Sequence, residues 1–382
     1  MRSQETCRLP EPIFQQDGKL TPYDLIISSG GAAAVLGGTG CLLACELAGL
    51  KSFRRIGGVS GGSLVAALSA SGLRSNDLVK LALATSFSKY LKLEHGIFGI
   101  VGDWFGIRKR SAAHNREFQH NCRWNGLTGS DALGHFIEKM MAVGTCRRTG
   151  KCNAETGSVW PNNFWTMATT RSGGQIVFDA DGVHHIPVGG QKSCISNEPP
   201  STGTALRASC TIPGLMASVE YKGIRLYDGA MSRDGICPVG AEIRHFGANP
   251  SKMIACRIND DLHQPIMGAL HGGARLFCGL DPNFHWGPEC EGVIDCHVKI
   301  DHVHTLKFHL SDDAKWMAIL IGFHSTLTEL ALHGILRGDA LAKAQSVLRC
   351  VGFWRDLIPA RIGAPQVLAD RVSGCFTEHG LL

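Results

Sequence analysis

Two short segments, the apolar Leu25-Ile26-Ile27 and the strand-like Phe53 to Ile56, each lead into a glycine-rich turn and then into a helix-forming segment of small residues. Two successive strand, turn and helix units constrain the fold strongly. The strands belong in parallel to one sheet, and both glycine turns fall at its carboxyl edge. The first turn is Ser28-Ser29-Gly30-Gly31, with clear helical periodicity from Gly40 to Leu50. The second is Gly58-Val59-Ser60-Gly61-Gly62, and its helix is expected from Gly61 to about Ser71.

The second turn has the form of a nucleophile elbow centred on Ser60. A serine on a sharp strand-to-helix turn needs small neighbours, because side chains at Gly58 or Gly62 would collide where the backbone doubles back. The hydroxyl also sits at a helix N-terminus, where N–H groups and the helix dipole favour developing negative charge. Glycine-serine turns before helices also occur for purely structural reasons, so chemistry needs a second group. Neither glycine segment reads Gly-x-x-x-x-Gly-Lys-Ser/Thr, and Gly38-x-Gly40 lacks dinucleotide-binding spacing, which argues against a nucleotide site.

Further along, helices are expected over Ser75 to Tyr90, Asp131 to Met141 and Ala205 to Ser209. Phe164 to Thr169 and Gln175 to Phe178 alternate like a hairpin around Ser172-Gly173-Gly174, and Met253 to Ile258 reads as another strand. Tyr221 to Arg225 is a tight turn leading into Asp228-Gly229-Ala230, and Thr145 to Asn163 reads as a polar excursion. The tail from Asp312 to Val351 is strongly helical, with Met317, Leu320, Ile321, Leu327, Leu330 and Leu332 on one face. The expected organisation is an N-terminal extension over 1–20 and a single α/β domain over 21–382. That domain carries an insertion at about 91–160 and a helical segment at about 312–382.

With 44% hydrophobic and 19% charged residues in 382, the chain has the composition of a globular protein with a large core. The net charge of +5 is scattered, apart from Arg108-Lys109-Arg110 and Arg147-Arg148, so nucleic-acid binding has no support. Before the first of these clusters, Leu93 to Phe105 mixes aromatic and aliphatic residues. Phe98, Trp104 and Phe105 beside Arg108, Lys109 and Arg110 have the chemistry of an interfacial membrane contact, or of a packed loop with a solvated charge run. Residues 1–18 show no continuous apolar stretch of the secretory type, and Trp316 to Phe323 is too short to span a bilayer. A cytoplasmic protein with peripheral membrane association is expected, or one exported without a cleavable signal. Fifteen cysteines without a Cys-x-x-Cys pair read as buried free thiols, and the one cluster worth checking for zinc, Cys290, Cys296 and His297, fits no standard spacing.

Taken together, Gly30-Gly31, the Ser60 elbow and the run Leu206-Arg207-Ala208-Ser209-Cys210-Thr211-Ile212-Pro213-Gly214, followed by Asp228-Gly229-Ala230, resemble the patatin-like phospholipase family. The resemblance spans about residues 23 to 260. It implies a three-layer α/β/α sandwich with a mainly parallel central sheet and additional C-terminal helices. It implies a lipid acyl hydrolase of phospholipase A type, acting on membrane phospholipid or another acyl lipid, with Ser60 as nucleophile and Asp228 as base. Gly30, Gly31, Ala32 and Gly61 would supply the oxyanion hole, Gly58 and Gly62 the room for the elbow, and no metal or other cofactor is called for. The resemblance leaves any activating partner unspecified. The sequence departs from the family's pattern at Ala32, which stands for a third glycine, at Ala34, which stands for Lys or Arg, and at Val35, which stands for glycine. Two other readings remain open at this point. One is an α/β-hydrolase triad completed by His245, His302 or His304; the other is a noncatalytic lipid- or protein-binding module on the same scaffold.

Overall fold

In the computed structural model, which describes residues 23–85, 130–149, 160–213, 216–232, 234–258, 286–301, 303, 310–352 and 365–382, the first of the two segments forms β1 (Asp24–Ile27). The second forms β2 (Ile56–Gly58), pairing in parallel with Leu25 opposite Ile56 and Ile27 opposite Gly58. β2 starts later than Phe53; ahead of it, Arg54 and Arg55 are ion-paired to the buried Asp24 carboxylate. The helices that follow are α1 (Gly31–Leu47) and α2 (Gly61–Ser71). α1 begins at the glycine turn, well before its periodicity becomes visible in sequence. From Ala32 to Cys45 it is buried on nearly every side, and a helix apolar all round shows no stripe.

The remaining strands are β3 (Phe164–Thr170), β4 (Gln175–Asp179), β5 (Gly182–Ile186), β6 (Ser193–Ser196), β7 (Val219–Tyr221), β8 (Ile224–Asp228), β9 (Met253–Ile258) and β10 (Ile294–Val298). In the order β10-β9-β1-β2-β3 they run parallel. The sheet continues through β4, β5 and β6 with antiparallel pairings, and β8 pairs antiparallel with both β3 and β7.

Strand alternation divides the core. Leu25 and Ile27 face α1, α2, α3 (Ser75–Ala84), α4 (Asp131–Thr149), α5 (Thr202–Ser209) and α7 (Asp312–Leu332). Ile26 points the other way, with Trp165, Met167 and Val177, toward α6 (Val239–Phe246). The result is a mixed sheet flanked by helices on both faces. α4 runs on through what reads as the start of a polar excursion, because its last turn has tertiary partners: Arg147 Nη1 meets Asp77 Oδ1 at 2.7 Å, and Arg148 donates to the Ala70 carbonyl at 2.9 Å.

The helical tail is divided. α7 lies along α1, where a side chain at Gly322 would stand 2.1 Å from the Gly37 carbonyl oxygen. The chain then turns at Gly334, whose φ is 64°, into α8 (Gly338–Val351), and the last described helix is α9 (Pro365–Glu378). A disulfide between Cys350 and Cys375 joins α8 to α9, and Cys146 is disulfide-bonded as well, correcting the expectation of free thiols throughout. Cys41, Cys45, Cys256 and Cys296 are free and fully buried. Cys296 packs on the α1 face and Cys290 on the other, so the checked zinc cluster does not assemble. Among the described residues no helix is long and apolar enough to cross a membrane. The 1–20 extension, most of the 91–160 insertion with Phe98, Trp104, Phe105, Arg108, Lys109 and Arg110, and His302 and His304 lie outside the described residues.

Candidate active site

β3 brings two chain ends together. On one edge it pairs with β4 over Thr166 to Thr169, so β2 and β8 share the other edge. β2 ends at Gly58 beside Thr166, and β8 arrives from the opposite direction to end at Asp228 beside Ala168. Ser60 leaves the end of β2 just where Asp228 closes β8. The sheet thus meets the geometric requirement for a serine and a carboxylate in contact.

Ser60 has φ 53° and ψ −130°, a conformation that L residues rarely adopt; Lys222 is the one other non-glycine residue with positive φ among those described. Such strain costs about 1–3 kcal/mol and persists only when the surroundings hold it. Here they do. The Ser60 backbone N–H donates to Ser209 Oγ at 3.0 Å, and the Thr166 hydroxyl is placed to donate to the Gly58 carbonyl at 2.8 Å and to Ser209 Oγ at 3.0 Å. On the helical side the Ser63 hydroxyl donates to the Ser60 carbonyl at 2.6 Å. The small neighbours are needed sterically, since a Cβ at Gly62 would stand 2.3 Å from the Ser28 carbonyl oxygen and one at Gly58 2.6 Å from that of Gly62.

Asp228 is 2% exposed and Ser60 6%. The backbone N–H of Asp228 donates to the Thr211 carbonyl at 2.7 Å, fixing β8 to the turn after α5, and its Oδ1 accepts the Ala230 N–H at 2.9 Å. Burial pushes the Asp228 carboxyl up to about 7, and the Ala230 N–H that it accepts and the neighbouring Ser60 side chain pull back only part of that rise. A carboxylate poised near neutrality beside a serine side chain has the protonation behaviour of a general base. The neighbouring Cys210 thiol is driven the other way from reactivity: burial and the nearby Asp228 charge raise its pKa and keep it protonated.

The two glycine turns touch. A Cβ at Gly61 would stand 2.2 Å from the Gly31 carbonyl oxygen. Gly30 and Gly31 have φ of 144° and 55°, which lets α1 start abruptly at the sheet edge. The N–H groups of Ser28 and Ser29 are bonded to the carbonyls of Cys256 and Ile236, and that of Ala34 to Gly30, whereas Gly31 and Ala32 open the helix with no acceptor inside it. At α2 the N–H groups of Gly62 and Ser63 go to Val59 and Ser60, leaving Gly61 as its open first donor. Ala34 is wholly buried, so the position where the family's pattern has a cation holds a methyl group in the core.

His245 is engaged elsewhere, with its Nε2 2.8 Å from Asp179 Oδ2. Among the described residues no histidine acts on Asp228. Sequence reasoning missed Thr166 and the part played by Ser209. Ser209 lies inside the run singled out before Asp228, and Thr166 is a polar residue between Trp165 and Met167 in a fully buried strand, which is the signal that was available.

A family model described as Patatin-like phospholipase matches residues 25–239, a span that takes in both glycine turns, Thr166, Ser209 and Asp228. No curated protein sequence gives a match. Among solved structures, VipD from Legionella pneumophila is similar at 13% identity, covering 93% of this chain and 80% of its own, with a TM-score of 0.44. The type III effector protein ExoU is similar at 12% identity, covering 94% of this chain and 69% of its own, with a TM-score of 0.38.

Proposed function

Because this chain belongs to the patatin-like phospholipase family, which supports lipid ester hydrolysis, we propose that it cleaves fatty-acyl esters of membrane glycerolipids in the manner of a phospholipase A. The observation that carries the reading is the Ser60–Asp228 pair, a strained serine beside a buried carboxylate whose pKa is raised to about 7. Ionised Asp228 takes the Ser60 proton as Oγ attacks the ester carbonyl. The oxyanion is received by backbone N–H groups of Gly30, Gly31, Ala32 and Gly61, each such donor being worth about a hundredfold or more in rate. Collapse expels the alcohol portion, which takes the proton back from Asp228. A water then gives its proton to Asp228, attacks the acyl-enzyme and releases the fatty acid with Ser60 restored.

The membrane approach is assigned to Phe98, Trp104, Phe105, Arg108, Lys109 and Arg110, on their chemistry alone. Replacing Trp104, Arg108 and Arg110 together by Ala is expected to weaken binding to anionic liposomes, and unchanged binding would remove that assignment.

A second reading, a lipid-binding module without turnover, is favoured by Ala34. The two separate cleanly in fatty-acid release from mixed phospholipid vesicles by wild type, Ser60→Ala and Asp228→Ala. Release by wild type alone supports the hydrolase; equal release by all three, or none by any, removes it.

A further inference from the structure

A second cluster of reactive side chains lies on the opposite face of the sheet from α1 and α2. In the β4–β5 hairpin Asp179 stands opposite Gly182 and His184 opposite Val177, so both side chains share the Val177 face, toward α6. His245, near the end of α6, meets them there. Asp179 Oδ2 is 2.8 Å from His245 Nε2 and 3.6 Å from His184 Nε2, and the three donor atoms all lie within 4.8 Å of one another. Asp179, His184 and His245 are 5%, 2% and 5% exposed. We propose that Asp179, His184 and His245 bind a divalent metal ion, zinc by preference, with one coordination position open.

Three observations carry this. First, the donor set is two imidazoles and one carboxylate, which suits a borderline cation, and bonds of about 2.0–2.2 Å in a tetrahedral site put neighbouring donors about 3.3 Å apart, between the two separations observed. Small shifts of the side chains complete the fit. Second, among the described residues no Lys or Arg is ion-paired to Asp179, whose closest ionisable partners are the two imidazoles. A buried carboxylate without a Lys or Arg partner is a place that a cation would complete. Third, hydrogen bonding alone leaves the cluster incomplete: at 3.6 Å the buried His184 Nε2 is too far for a good bond to Asp179, yet it is aimed at the other two donor atoms. The other Asp179 oxygen already accepts the Asp181 N–H at 2.9 Å, which leaves Oδ2 as the ligand. A second grouping, Cys350, Glu378 and His379, is weaker because its sulfur is taken by the disulfide. A bound ion would tie α6 to the β4–β5 hairpin and act on stability, separately from Ser60.

The test uses the full chain, stripped with a chelator and titrated with Co²⁺ and then Zn²⁺. One equivalent of cobalt is expected to bind with ligand-field bands of a nitrogen and oxygen site and without a thiolate charge-transfer band, and zinc is expected to raise Tm. Asp179→Asn and, as a second variant, His245→Gln are expected to lose at least 10–100-fold in metal affinity, with circular dichroism showing each fold retained, while Ser60→Ala binds as wild type does. Absence of stoichiometric binding by wild type, a thiolate signature, or wild-type affinity in a folded Asp179→Asn or His245→Gln protein overturns the proposal. If neither variant folds, the cobalt spectrum and the zinc-dependent Tm of wild type decide it.

Discussion

Asp228 and Asp179 are each the last residue of a strand in the same sheet, and both are buried, yet their surroundings drive them in opposite directions. Asp228 has one backbone N–H and a serine hydroxyl for company, so the cost of burial prevails and its pKa rises to about 7. Burial acts on Asp179 in the same sense, but the two adjacent histidines, His245 hydrogen-bonded to it and His184 close by, outweigh it and hold the carboxyl well below the usual range. Burial therefore does not decide what an aspartate does; the partners around it do. One region holds a carboxyl poised near neutrality, and the other holds one that stays ionised at neutral pH.

The largest effect that can break this contrast is on rate. Asp228→Asn keeps the shape and removes the base, so fatty-acid release is expected to fall about 10³-fold, within the usual range for a lost general base. A variant with more than a tenth of wild-type turnover would contradict the assignment. For wild type, kcat/KM should climb with pH along an acidic limb centred near 7, because only ionised Asp228 accepts the Ser60 proton.

Stability comes next, and the sign is informative. The folded-state pKa of Asp228 lies above its unfolded value, so the folded protein binds the proton more tightly. The resulting penalty is absent below about pH 4, grows between about pH 4 and 7, and is complete above that. At about 1.4 kcal/mol per pKa unit, the cost at pH 8 is a few kcal/mol. Urea melts of Asp228→Asn at pH 8 are expected to show a gain over wild type that shrinks at pH 5. Asp179→Asn should move the other way, losing about 1–3 kcal/mol at pH 7 as the charge-assisted hydrogen bond between Asp179 and His245 disappears. Changes of the same sign in both variants would dissolve the comparison.

The smallest effect concerns how the elbow is held. Ser209→Ala leaves the buried Ser60 N–H without its acceptor, a loss of about 1–3 kcal/mol. Part of that is expected to appear as a roughly tenfold drop in kcat with KM little changed. A loss confined to KM would place Ser209 in substrate binding instead.

Much of the reactive end was legible in the chain. α2 runs from Gly61 to Ser71 as its spacing predicts, and the two glycine turns do meet at the sheet edge, because small residues and positive φ leave few alternatives there. The Asp179 end was not legible. Its three donors come from β4, β5 and α6 at separations that match no motif, and only the pairing of His184 with Val177 brings them to one face. Thr166 was hidden for the same reason, its role depending on the register that sets it beside Gly58. The Cys350–Cys375 disulfide joins two helices whose packing no local pattern announces.

The central claim, that Ser60 is a nucleophile activated by Asp228, is tested most directly by treating the folded protein with a fluorophosphonate and mapping the adduct by peptide mass spectrometry. The account predicts one adduct, on Ser60, formed at a rate that rises with pH through about 7 and that drops at least a hundredfold in Asp228→Asn. No adduct on Ser60, or equal labelling of wild type and Asp228→Asn, would contradict it.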